Sequence, residues 1–325
     1  MYEQYRLKQL QTAYSRQGWI LLVYYAILNT AVTLMMFVEA FAQAFSAAMN
    51  GKEVDVNQMV QSLSESGWGY FLAIGVGLLI LLLWKKPQYV TQTLWKPGKP
   101  MKIGSFFAVL TIFISAQLGV QILYALIEMV ANQFGYSMVQ SVESVGGPMS
   151  GLSMFLYVSL GAPVAEEILF RGLILRNMEV YGKKFAIFAS SVMFGMYHAN
   201  LVQIPFAFMV GLVLGYVTVE YNIGWAIALH LFNNLILSDT MTRLMAPLGM
   251  PWADLWFWVL IFGCTIAAAV ILIVKRQQIK LWLGRNPDDP LCNKAFWSAP
   301  GIITLIVVLG LLTLVSTVLM LTPIS

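Results

Sequence analysis

Long apolar runs separated by short polar loops fill the chain from about residue 19 to its end. A helix needs about 20 apolar residues to cross the hydrocarbon core of a bilayer. By that measure, candidate spans fall at 19–45, 68–84, 105–130, 151–177, 185–199, 201–219, 221–238, 255–274 and 301–322. The run at 185–199 is short, and only brief turns separate the runs from 185 to 238. This pattern predicts an all-α polytopic transmembrane helical bundle with about 8–9 spans. It divides into a polar N-terminal arm at 1–18, membrane helices over 19–130, a membrane core over 151–238 and C-terminal helices over 255–325.

Polar positions orient the bundle. Lys and Arg favour cytoplasmic loops. With the N-terminus inside, all of the 19 basic residues except Lys52 and Arg243 fall on the cytoplasmic side. They gather in the arm (Arg6, Lys8, Arg16), in the loop from Lys85 to Lys102, near Arg171–Lys184, and after Val274. The acidic residues Glu53, Asp55, Glu65 and Glu143 lie in outer loops. The first apolar run is too long for the hydrophobic region of a signal peptide, so no cleaved leader is expected. The stretch 139–150 reads as flexible.

Composition changes the picture only by exclusion. Hydrophobic residues make up 59% of the 325 and charged residues 10%, against about 25% charged in a soluble protein. A net charge of +4, without a basic stripe, excludes a nucleic-acid interface and leaves the lipid bilayer as the expected surroundings. Cys264 sits in an apolar run and Cys292 in a polar loop, so neither a disulfide nor a thiolate metal site is expected.

Ionisable residues inside apolar spans are expensive and usually functional. Here they cluster in three segments: Gly161 to Gly172 with Glu166, Glu167 and Arg171; Phe194 to His198; and His230 to Asn234. Both histidines of the chain lie in them. Glu167 and Arg171 are four apart and can pair on one helix face. Glu166, about 100° round the helix, is free to face a different neighbour. His230 and Asn234, also four apart, present an imidazole and an amide together. Such groups can hydrolyse a peptide bond without a covalent intermediate. A carboxylate serves as general base for water, a histidine shares the proton, and donor N–H groups receive the oxyanion.

The Glu-Glu-x-x-x-Arg, Phe-x-x-x-His and His-x-x-x-Asn segments, in this order over roughly residues 150–238, resemble the motifs of the CAAX prenyl endopeptidase and bacteriocin-processing family. Gly211 to Tyr216 resembles that family's linking helix. The resemblance implies an intramembrane glutamic endopeptidase with Glu166 as the water-activating base, assisted by His198. It implies His230 and Asn234 as the oxyanion site, with Glu167 and Arg171 in support. No cofactor or metal is implied. The partner would be a peptide or protein substrate, lipidated or plain, reached from the cytoplasmic side of a bacterial plasma membrane. The flanking spans and the outer loop at 46–67 are left without a role, and no oligomeric state follows.

Other readings use the same residues. Glu166, His198 and His230 could ligate a zinc ion, although no HExxH helix pairs the ligands. A non-catalytic scaffold or bacteriocin-immunity-type protein could bind a peptide in the same cavity. Asn233 and the Glu167–Arg171 pair read as structural. A transporter is disfavoured by the lack of repeated halves.

Overall fold

The computed structural model describes residues 1–85, 88–139, 151–240 and 252–324. The stretch expected to be flexible lies, beyond Val139, outside the described residues, as do Lys86, Glu143 and Arg243. The described chain is helical apart from loops and one short pairing of β1 (Tyr136–Ser137) with β2 (Thr322–Pro323).

Its helices are α1 (Tyr2–Met49), α2 (Val56–Ser64), α3 (Trp68–Trp84), α4 (Ile103–Gln133), α5 (Leu152–Glu179) and α6 (Lys183–Tyr197). They continue as α7 (Gln203–Glu220), α8 (Ile223–Leu237), α9 (Trp252–Val274), α10 (Arg276–Arg285), α11 (Cys292–Trp297) and α12 (Pro300–Leu319). Among the described residues, seven helical stretches are long and apolar enough to cross a membrane. The protein is an integral membrane protein built as an all-α bundle. The runs at 185–199 and 221–238 correspond to α6 and α8, which fall short of that length. The 15 residues of α6 rise only about 22 Å, less than the roughly 30 Å hydrocarbon core.

One boundary differs from the sequence pattern. The polar segment 1–18 is not a separate arm but the opening of α1, a single 48-residue helix. Leu10, Tyr14, Gln17, Gly18 and Leu21 are buried along it at helical spacing. The Tyr14 ring packs on Phe185 and Phe296, and its hydroxyl donates to Cys292 Sγ at 2.9 Å. Arg6 pairs with Asp289 at 2.9 Å. Burial works against the charged form of Asp289, but the Leu291 N–H and Arg6 outweigh it and hold the carboxyl below its ordinary value. The polar turns are therefore helical because they dock on the far end of the chain. Where α1 crosses α12, a Cβ on Gly18 would collide with the Gly301 carbonyl, so glycine permits this contact.

The centre of the bundle is α5 with α6, α7 and α8 around it. Gly211 and Gly215 face α6, where added Cβ atoms would meet Ser191 and Ile187 at 3.1 Å. This Gly-x-x-x-Gly spacing brings α7 close to α6. Phe170, Ile174, Phe194, Leu214 and Leu229 fill the core there.

Candidate active site

Backbone geometry prepares the site on α5. Glu166 and Glu167 end a six-residue α-helical stretch, Ala162–Glu167, set between π-helical stretches Tyr157–Gly161 and Ile168–Leu175. Pro163 has no N–H to offer the Ser159 carbonyl one turn back, and its ring crowds that oxygen. A widened turn at Tyr157–Gly161 is the physical consequence, and such π-bulges often mark functional sites.

The two glutamates have distinct partners. Glu167 is fully buried and lies 3.1 Å from the Arg171 guanidinium, also fully buried. The same Glu167 Oε1 accepts a hydrogen bond from His230 Nδ1 at 2.9 Å. Arg171 balances the negative charge of Glu167, so the imidazole is the donor in that bond. His230 Nε2 then points to the other glutamate, 3.8 Å from Glu166 Oε2. The Glu166 side chain keeps 15% of its exposure against 0% for Glu167, so only Glu166 can be reached by water.

His198 ends α6. Its Nδ1 donates to the Phe194 carbonyl at 2.8 Å, which leaves Nε2 as the ring's free acceptor. Ala199 follows in the left-handed region, with φ 45°, a strained conformation for a residue with a Cβ. The Ser316 hydroxyl of α12 donates to the Ala199 carbonyl at 2.9 Å. Asn234 sits one turn beyond His230, where α8 loosens into a π-helical stretch at Phe232. Its amide donates to the Val158 carbonyl at 2.9 Å and accepts from Asn233 at 3.0 Å.

All six residues singled out in the sequence thus line the contacts of α5 with α6, α7 and α8. His230 meets both glutamates directly, and His198 lies within electrostatic range of Glu166 and His230. Asn234 is anchored two turns before Glu166 on the same helix rather than on Glu166 itself.

Sequence reasoning missed several parts. Glu167, read only as Arg171's partner, also holds His230. Phe194, read only as a motif position, is a shared wall: Arg171 Cζ stands 4.3 Å above its ring, and both imidazoles pack edge-on to it at 4.9 and 5.9 Å. Asn233 orients Asn234, although its own Oδ1 is buried without a hydrogen-bond partner among the described residues. The phenols of Tyr24, Tyr157 and Tyr197 lie within electrostatic range of Glu166. Tyr24 comes from α1, for which no local sequence signal pointed to the site.

Among the described residues, no group of three His, Cys, Asp or Glu side chains is arranged to hold a metal ion. One nitrogen of each histidine is already committed, to Glu167 and to the Phe194 carbonyl.

Residues 148–236, roughly a quarter of the chain, match the family model described as type II CAAX prenyl endopeptidase, Rce1-like. No curated protein and no solved structure matches the chain. The matched segment holds every residue of the site described above except Tyr24 and Ser316. The family is one of proteases, and in this segment the chain is similar to it.

Proposed function

We propose that this protein is an intramembrane endopeptidase in which Glu166 activates water for attack on a peptide bond. The arrangement of His230 between Glu167 and Glu166 carries the proposal. Glu166 is the partly accessible carboxylate and takes the proton of the attacking water. The free Nε2 of His198 accepts that proton in relay and delivers it to the leaving amine.

His230, with Nδ1–H committed to Glu167, offers Nε2–H to the developing oxyanion when it carries both protons. Glu167 and Glu166 balance that charge. The second N–H of the Asn234 amide, the first being held by Val158, completes the oxyanion site. No metal ion is required by this scheme.

The substrate is a peptide segment entering from the Lys- and Arg-rich cytoplasmic face of a bacterial plasma membrane. The family description favours one with a lipidated C-terminus. Cleavage of prenylated and plain fluorogenic peptides by the purified protein in nanodiscs tests the proposal. Glu166→Gln should abolish cleavage while leaving the fold intact.

A further inference from the structure

A cavity of about 990 Å³ opens between α1, α3 and α5. Its α1 wall is Ile20, Val23 and Ile27, its α3 wall Leu78 and Leu81, and its α5 wall Ile168 and Leu169. Arg16 to Ile27 spans about 16 Å along the helix, the depth of one leaflet of a roughly 30 Å core.

The mouth of the cavity is basic. Lys8 and Arg16 line it, with Gln11 and Ser15 between them on the same helix. Arg16 Cζ stands 5.1 Å above the Trp84 ring, and Lys85 Nζ stands 4.5 Å from the same ring. Burial, with Arg16 adding to it, pushes the Lys85 ammonium below its ordinary value. Neither cation has an ion-pair partner among the described residues. Two unneutralised cations over one indole at the head of an apolar slot form the chemical complement of an anionic amphiphile.

We infer that this cavity binds one anionic phospholipid of the inner leaflet. The headgroup phosphate lies between Arg16 and Lys85, and one acyl chain lies along α1 and α3. The inner wall belongs to α5, and Ala165 and Tyr24 also line the cavity, so the bound chain would pack beside the helix that carries Glu166. This inference goes beyond the proposed protease function and does not depend on it.

Native mass spectrometry after reconstitution in vesicles of mixed phosphatidylglycerol and phosphatidylcholine tests it. Wild type should retain one phosphatidylglycerol per chain in preference to phosphatidylcholine. The Arg16→Gln/Lys85→Gln variant should retain it roughly thirtyfold less, from about fivefold per cation. Leu81→Trp, which fills the slot and keeps both cations, should also lose it. Equal retention of the two lipids, or undiminished retention by the double variant, would overturn the inference. So would displacement of the lipid, one for one, by a farnesylated peptide, which would make the slot a substrate groove. Lipid retention is read without turnover, so Glu166→Gln protein should behave as wild type in this measurement.

Discussion

Glu167 and His230 are joined across α5 and α8 by a 2.9 Å hydrogen bond, and the same carboxylate oxygen lies 3.1 Å from Arg171. A single buried carboxylate therefore both neutralises a guanidinium and fixes the rotation of an imidazole. Removing either duty has a different consequence, and the two can be separated.

Glu167→Gln should lower turnover about 10²–10³-fold, since His230 loses the carboxylate that orients it as an oxyanion donor. It should also destabilise the protein by about 3–5 kcal/mol, because Arg171 is left buried and uncompensated. Adding Arg171→Met should recover much of the stability but little of the turnover. Thermal unfolding and peptide cleavage, measured on both variants, check this. Recovery of turnover in the double variant would show that the ion pair, not the His230 contact, is what matters.

Phe194→Leu removes the ring shared by Arg171, His198 and His230. A desolvated cation–π contact contributes about 2 kcal/mol, and two imidazoles lose their packing wall. The expected result is a fall in kcat with KM little changed, measured by steady-state cleavage in nanodiscs. An unchanged kcat would show that the ring is only filler.

Much of this arrangement was legible in the sequence, because a membrane makes polar residues conspicuous. Glu166, His198, His230 and Asn234 stood out as rare ionisable or amide groups in apolar runs, and helical spacing paired Glu167 with Arg171. What spacing could not show was contact between helices. The Glu167–His230 bond joins positions 63 apart, and Tyr24 reaches the site from α1. Helix lengths were read less well than helix existence. Nothing in the polar composition of residues 1–18 announced the docking of Tyr14 on Phe185 and Phe296, or the Arg6–Asp289 pair, that keeps them helical. The single short β pairing had no signal in so apolar a chain.

The Gly211 position tests how α7 supports the site. A Cβ there would meet Ser191 atoms at 3.1 Å, and the Gly211 carbonyl accepts from Arg171 at 3.4 Å. Gly211→Ala should cost about 1–3 kcal/mol from overpacking. Ser191→Gly in the same chain should restore most of it. Unfolding midpoints of the single and double variants decide the matter, and additive losses would rule out a direct clash.

Ala199 holds a left-handed backbone immediately after His198. Glycine adopts that conformation freely, so Ala199→Gly should stabilise the protein by up to about 1 kcal/mol without loss of cleavage. Ala199→Val should destabilise it. A drop in activity for the glycine variant, at unchanged or higher stability, would mean that the strain itself serves the position of His198.

The central claim is that Glu166 activates water without a metal ion. Cleavage of a fluorogenic peptide should be compared for wild type and Glu166→Gln in nanodiscs, each with and without a tight chelator after metal stripping. The account predicts cleavage by wild type that survives the chelator, and none by Glu166→Gln at matched stability. Loss of wild-type cleavage with the chelator, restored by zinc, would contradict it, as would cleavage by Glu166→Gln at the wild-type rate.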